Sequence, residues 1–299
     1  MRAVAFRRYG GPEVLEVLEL PEPEPVPGQV RIRVAAATVN PADTLFRAGG
    51  LARGIEGPPP WVAGLELAGT VESVADGSGY RPGDRVAAMT RFLPHGRGAQ
   101  SELVVLDAES SLARVPEGLD LVEAATVPMT GLTVRLLLDT LALPRGATLA
   151  VTGAAGAVGG FAVELGAAEG LRVIAISSEA DEALARELGA DAFVARGDDA
   201  FAEVRALAEF EIGRVQQALL LLVVELRRLD GDAGTDQAVG HGRPHRCLCH
   251  AATPSRAADR WRHPSFSDAA LARASLLGRF SSSLPLNVYH CAMNDCSPW

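Results

Sequence analysis

Two different hydrophobic patterns divide the first 209 residues of the chain. Up to residue 125, short apolar runs alternate with turns rich in glycine and proline, which is typical of a compact β barrel or sandwich. The segment PEPEPVPGQ at 21–29 cannot be a central strand, because its prolines lack the backbone donor that a sheet needs. The predicted strands cover residues 14–20, 30–39, 64–75, 86–88 and 101–106.

Helical spacing begins at residues 121–141 and is followed by alternating strand-like and helix-like segments. This alternation predicts parallel βαβ units with right-handed crossovers. The fold class is therefore α/β, with a β-rich domain at 1–125 and a parallel-sheet domain at 126–209. The predicted strands are 148–152, 171–176 and 192–194, and the predicted helices are 158–169, 179–188 and 198–208.

The pattern breaks after residue 209. All four cysteines and five of the six histidines lie beyond residue 240, and most of this region shows no period. The apolar run at 219–224 is either a buried strand, pairing as a substitute fourth strand, or one side of a helix. Without it, the first strand of the parallel sheet would be left as an edge. We interpret residues 210–299 as an irregular tail, either disordered or the product of a shifted reading frame, which translation of the other two frames would test.

The most informative segment is TLAVTGAAGAVGG at 148–160, where an apolar strand runs directly into a glycine turn and then a helix. Glycine permits the tight turn, lets the backbone approach a pyrophosphate, and lets the helix pack on the strand. The N–H groups and dipole of the helix start then bind the anion. Other α/β proteins also have glycine turns, but this strand–helix–strand context favours a dinucleotide site. The predicted cofactor-binding residues here are Gly153, Ala154, Ala155, Gly156, Ala157, Val158 and Gly159.

Residues 1–208 resemble the zinc-independent quinone oxidoreductase branch of the medium-chain dehydrogenase/reductase superfamily. The resemblance is carried by MRAVAFRRYGGPEVLEV, PGQVRIRVAAATVNPADTLFRAG, GLELAGTVESV and the segment around the glycine turn. It implies a chaperonin-10-like catalytic β domain, a Rossmann domain, and hydride transfer from NADPH to a quinone or an α,β-unsaturated carbonyl (an enone). Family members also dimerise through a last strand that is not visible after residue 208. The Rossmann domain is therefore expected to be incomplete, which puts the dimer in doubt.

The resemblance also bears on metal binding. Zinc-dependent relatives carry a cysteine near position 40 and Gly-His-Glu near 64–66, whereas this chain has Asn40 and Gly64-Leu65-Glu66. A catalytic zinc needs about three N, O or S ligands, so residues 1–208 are predicted to bind no metal. The tail has cysteines at 247 and 249 between histidines at 245 and 250, but Cys-x-Cys is not the usual zinc spacing.

Three residues of the β-rich domain are candidates for the chemistry. Asn40 matches the family's asparagine near the nicotinamide, where its amide would donate to a developing oxyanion; the alternative is a turn asparagine before proline. Asp43 would either orient Asn40 or an arginine, or cap a helix. Trp61 would either form a flat wall for a quinone ring or belong to the core.

Two pairs of hydroxyl residues are candidates for cofactor binding. Thr130 and Thr133 fall where the family's helix passes the nicotinamide, with Thr133 favoured; the alternative is a bond within their own helix. Ser177 and Ser178 follow a predicted strand, where NAD enzymes usually place an acid for the ribose. Their small side chains leave room for a 2′-phosphate.

The predicted cofactor is therefore NADPH, with NADH as the alternative. A cation for the 2′-phosphate would strengthen this prediction. The family often has a lysine near position 181, where this chain has Asp181, and the nearest arginine onward is Arg186.

Charge and hydropathy limit the partners. The net charge of −9 argues against a nucleic acid or an anionic membrane, and no apolar run reaches the roughly 20 residues of a membrane span. The first residues lack the apolar core of a signal peptide, so the expected location is the cytoplasm. We therefore expect a small-molecule oxidoreductase. The rival is a catalytically impaired remnant, or a nucleotide-binding or nucleotide-sensing module without turnover.

Overall fold

The structure is a computed structural model that describes residues 1–90, 95–109, 112–212 and 220–222, with side chains up to residue 208. Contacts divide the chain into two compact units at Arg135/Leu136, inside a helix that begins shortly after the predicted boundary at 125/126. Apart from 210–212 and 220–222, the predicted irregular tail lies outside the described residues.

The first unit is built on antiparallel strands. One sheet has the order β2-β1-β4 and a second has the order β7-β3-β5-β6-β8. The predicted strand at 14–20 is shorter than expected, because Pro12–Val14 form a 3-10 turn before it. The elements are β1 Arg2–Phe6, β2 Glu16–Glu19, β3 Gln29–Ala37, α1 Pro41–Ala48, β4 Trp61–Val62, β5 Glu66–Val74, β6 Arg85–Met89, β7 Leu103–Asp107, β8 Leu112–Arg114, α2 Leu121–Ala125 and α3 Pro128–Leu141.

Side chains of β3 show how the five-stranded sheet forms its core. Val30 and Ile32 are fully buried, whereas Arg31 and Arg33 point to the other face and form ion pairs with Glu72 of β5. This alternation follows from the two-residue period of a strand. Residues from β5, β6 and β8 complete the apolar cluster, namely Leu67, Val71, Val86, Ala88 and Leu112.

The second unit is a parallel sheet with helical crossovers. The strands of this sheet that the structure describes have the order β11-β10-β9-β12 and are all parallel. Both central strands are almost continuously buried, as expected where helices cover both faces of a parallel sheet. The elements are β9 Thr148–Thr152, α4 Ala157–Ala168, β10 Arg172–Ser177, α5 Glu182–Glu187, β11 Ala192–Ala195, α6 Ala200–Ile212 and β12 Leu220–Leu222.

The apolar run at 219–224 contributes a strand. Leu220–Leu222 pair in parallel with Leu149–Val151 of β9, so β9 is not an edge strand. The resulting order corresponds to 3-2-1-4 of a dinucleotide-binding sheet. Of the two alternatives left open by the sequence, the substitute fourth strand is the one observed.

Candidate active site

The glycine turn has the backbone geometry that the sequence predicts. Gly153 follows β9 with φ of 66°, a left-handed conformation that side chains rarely adopt. Gly159 lies in the first turn of α4, and a Cβ there would be 2.1 Å from the carbonyl oxygen of Gly153. One glycine therefore allows the turn and the other allows the helix to pack against it.

The N-terminus of α4 is free of a side-chain cap. Its N-cap residue is Gly156, and the helix that follows has 12 residues, so N–H groups of its first turn have no side-chain acceptor at the cap. Gly153, Gly156 and Ala157 are exposed, whereas Ala154 and Gly159 are buried. The exposed backbone groups are those available to an anion, and the buried residues shape the turn. Ala155 and Val158 are half-buried between them.

At the carboxyl end of β10, a serine forms hydrogen bonds with an aspartate and with the backbone of an arginine. Ser177 is buried and its Oγ donates to Asp181 Oδ2 at 2.8 Å, while Ser178 precedes a 3-10 turn. The backbone N–H of Arg196 donates to the Ser177 carbonyl at 2.7 Å. Sequence reasoning missed Arg196 because it searched onward from β10. The parallel register that pairs Ser177 with Ala195 was the signal that could have found it.

A buried carboxylate organises the surroundings of Asn40. Glu66 is 1% exposed, and its Oε1 accepts from Thr38 Oγ1 at 2.6 Å and from Asn40 Nδ2 at 3.1 Å. Its Oε2 accepts from the backbone N–H of Met129, in the first turn of α3, at 2.8 Å. Sequence reasoning did not single out Glu66 as a functional residue.

The orientation of Asn40 follows from this network. Its Nδ2 also donates to Thr38 Oγ1 at 2.9 Å, and Thr38 Oγ1 itself lies 2.6 Å from Glu66 Oε1. Both acceptors therefore lie on one side of the amide nitrogen and fix the direction of the side chain. The catalytic role of Asn40 stays a prediction.

Asp43 acts on backbone groups. Its Oδ2 accepts from the N–H of Asn40 at 2.7 Å and its Oδ1 from the N–H of Gly64 at 2.8 Å, at the start of α1. The side chain is 3% exposed, and no described arginine forms an ion pair with it. Burial raises the pKa of this carboxyl, and the two backbone donors offset part of the rise. Asp43 thus positions the backbone of Asn40 and caps α1 at once.

The raised pKa of Asp43 predicts a pH dependence of stability. A carboxyl with a raised pKa binds its proton more tightly when folded, so its contribution is largest below the unfolded value of 3.8 and falls as pH rises through the folded pKa. Asp43→Asn destabilises the protein by about 1–3 kcal/mol, because the amide nitrogen faces a backbone donor. The difference in the free energy of unfolding between the wild type and Asp43→Asn grows as pH falls from 7 toward 4. Urea unfolding of both proteins across that range measures this difference. A difference that shrinks on acidification would contradict the raised pKa of Asp43.

The candidate Trp61 is half-buried in an aromatic cluster. Its ring stacks on Tyr9 at 4.7 Å between centroids and its Nε1 donates to the carbonyl of Gly57 at 2.8 Å. Phe6 and Phe46 complete the cluster beneath this pair. These contacts match the core alternative, and a role as a substrate wall stays a prediction.

The two threonines of α3 differ in exposure. Thr130 is buried, whereas Thr133 is exposed and its hydroxyl donates to the carbonyl of Met129 at 2.8 Å. That bond is the helix-internal alternative for Thr133. Their contact with a nicotinamide stays a prediction.

Two further observations concern metals and membranes. Within the described parts of the chain, no three His, Cys, Asp or Glu side chains are grouped as metal ligands, and the tail cysteines and histidines lie outside those parts. No helix among the described residues has the length and apolar character needed to cross a bilayer.

Comparisons with known proteins agree with this architecture. Residues 26–117 match the alcohol dehydrogenase GroES-like domain. The chain is 41% identical over 197 residues to a quinone oxidoreductase of Pseudomonas aeruginosa, covering 63% of this chain and 57% of that protein. It is 34% identical to an NAD-dependent alcohol dehydrogenase of known structure, with a TM-score of 0.64 and coverage of 70% and 68%. A mycobacterial protein solved in complex with NADPH is 33% identical, with a TM-score of 0.59 and coverage of 71% and 63%.

The extent of these matches defines what is shared. The chain spans slightly more than half the length of the curated quinone oxidoreductases that it matches. The match to the GroES-like family model lies within the first unit, at residues 26–117. The chain belongs to the medium-chain dehydrogenase/reductase superfamily, a superfamily of oxidoreductases, and the relatives that it matches include quinone oxidoreductases.

Proposed function

We propose that this protein binds NADPH and transfers a hydride from it to a quinone or an α,β-unsaturated carbonyl without a catalytic zinc. The observation that carries the proposal is the glycine turn between β9 and α4, at the carboxyl end of a parallel sheet with dinucleotide-binding strand order. The backbone fits a diphosphate. A Cβ at Gly156 would meet only the Gly153 carbonyl within 4 Å, so the exposed side of the turn is open.

Each candidate residue has a separate task in this proposal. N–H groups at the start of α4 hold the diphosphate, and Ser177 and Ser178 lie at the adenosine ribose. Thr130 or Thr133 bonds the nicotinamide carboxamide or its ribose, and Trp61 borders the substrate. When bound, the nicotinamide supplies the hydride, and the protein supplies position and polarisation.

The network around Glu66 prepares the polarising group. Its Oε1 orients the Asn40 amide, and that amide donates to the substrate oxygen as negative charge develops there. Reduction takes one hydride and one proton, and the proton comes from solvent. The same geometry favours chemistry without zinc, because the Glu66 carboxylate is bonded to Thr38, Asn40 and Met129.

Two observations favour the rival function, nucleotide binding without turnover. The Asn40 amide nitrogen already donates to Thr38 and Glu66 within the protein, and the chain spans little more than half of its curated relatives. The glycine turn is independent of both facts. Binding and turnover are therefore separable in experiment.

Titration of the full chain with NADPH tests the proposal. At a concentration of NADPH about 100 times its Kd, binding stabilises the folded state by about 2.7 kcal/mol. For a protein of this size we expect a rise in melting temperature of about 5–10 °C. Turnover is then measured as the oxidation of NADPH by 1,4-benzoquinone or an acyclic enone, which is monitored through the loss of the absorbance of the reduced nicotinamide. Binding without oxidation supports the rival function, and a folded sample that binds neither NADPH nor NADH refutes both.

A further inference from the structure

The carboxyl ends of β10 and β11 place a basic residue, through its backbone, and an acidic residue, through its side chain, against one serine. Ser177 ends β10, and its carbonyl accepts from the backbone N–H of Arg196, the residue directly after β11. The Ser177 hydroxyl donates to Asp181, which follows the same strand end. An arginine and an aspartate therefore flank a single buried serine.

Arg196 is the cation available at this place. Its side chain is exposed, and no described residue forms an ion pair with its guanidinium. Arg186, the nearest arginine onward from β10 in the sequence, is instead committed to the carbonyl of Asp191 at 2.7 Å and to Glu182 at 3.3 Å. No residue that shortly follows β10 in the sequence offers a positive charge for a 2′-phosphate. Arg196, which directly follows the neighbouring strand β11, offers one.

We propose that Arg196 and Asp181 together set the nucleotide preference, Arg196 by binding the 2′-phosphate that distinguishes NADPH from NADH, and Asp181 by opposing it. The inference rests on the proposed function, since it assigns the adenosine end of that site. A guanidinium binds a phosphate through charge-assisted hydrogen bonds, whereas a carboxylate beside the phosphate repels it. With NADH the same carboxylate can accept from the ribose 2′-hydroxyl.

The opposed charges have a specific consequence. The wild type discriminates only modestly between the two cofactors, because Asp181 offsets part of what Arg196 contributes. Removing the carboxylate widens the preference for the phosphorylated nucleotide, and removing the guanidinium reverses the preference toward NADH. A site with one charged residue would respond to only one of these changes.

Calorimetric titration of the full chain with 2′,5′-ADP and with 5′-AMP isolates the 2′-phosphate. We expect Arg196→Gln to weaken 2′,5′-ADP binding on the order of tenfold or more and to leave 5′-AMP binding within about twofold. Asp181→Asn is expected to tighten 2′,5′-ADP binding several-fold. Added salt should reduce both effects, because they are electrostatic and exposed.

Arg205→Gln is the matched control, since it removes the same charge from an exposed position on α6 of the same unit. It should leave binding of both nucleotides unchanged. If Arg196→Gln and Arg205→Gln have equal effects on 2′,5′-ADP, the assignment of Arg196 is wrong while the dinucleotide site stands. If the folded wild type binds neither these nucleotides nor NADPH, the proposed function itself fails.

Discussion

Replacing Gly159 with alanine is expected to abolish measurable NADPH binding and to lower the free energy of unfolding by about 1–3 kcal/mol or more. The added Cβ would be 2.1 Å from the carbonyl oxygen of Gly153, 2.7 Å from its carbonyl carbon, and 2.9 Å from the Cα of Ala154. All three atoms are backbone, so no side chain can rotate away. The helix has to separate from the turn.

That separation accounts for the effect on binding. The N–H groups proposed to hold the diphosphate belong to the first turn of α4, and their direction is set by the contact of Gly159 with the turn after β9. A displacement of the helix start by even 1 Å misdirects donors whose bonds to phosphate depend on distance and angle. Stability and binding therefore fall together.

The next residue supplies a matched control. A Cβ at Gly160 would be 3.4 Å from a methyl of Leu188 and 3.7 Å from the nearest backbone oxygen, which are ordinary contacts. Alanine is also preferred over glycine in a helix by about 0.8–1 kcal/mol. Gly160→Ala should therefore bind NADPH as the wild type does and be equally or more stable in urea. Equal NADPH affinity in both variants would show that the α4 N-terminus does not hold the diphosphate.

The second unit, with its parallel sheet, could be predicted from local patterns in the sequence. The strand at 148–152 agrees with β9, and α4 begins one residue before the predicted position. Strand, turn and helix are specified here by consecutive residues, and the requirement for glycine arises within the same seven residues. The apolar run at 219–224 was ambiguous, because its partner, β9, is distant in sequence.

Long-range contacts explain what the sequence left open. The sequence around Asp43 allows two interpretations, and the N–H of Gly64, 21 residues away, shows that the side chain ties α1 to a second segment. Arg196 meets Ser177 only through the parallel register of two strands. Glu66 accepts hydrogen bonds from groups that are 26, 28 and 63 residues away in the sequence, so no local motif indicates its role.

Glu66 is the site of the second large effect that we expect. Glu66→Ala removes the acceptor of Thr38 Oγ1 and of the Met129 N–H, and one of the two acceptors of Asn40 Nδ2, in a partly buried place. Each donor left without an acceptor costs about 1–3 kcal/mol, so a loss of about 2–4 kcal/mol in the free energy of unfolding is expected. Urea unfolding measures it. The control is Glu24→Ala in the same unit, whose carboxylate is exposed and whose ion pair with Arg31 is worth about 0–1 kcal/mol.

Glu66→Gln separates a positioning role from a purely structural one. The amide keeps the shape of the carboxylate but turns an NH₂ toward one of three donors, so it costs about 1–3 kcal/mol and leaves the protein folded. The glycine turn lies in the other unit, so the Kd for NADPH should stay within about threefold of the wild type. Turnover with 1,4-benzoquinone should fall several-fold, because a neutral amide oxygen holds the Asn40 amide less firmly than a carboxylate does. Unchanged kcat in a folded Glu66→Gln protein would mean that the network holds the fold together without preparing Asn40 for the reaction.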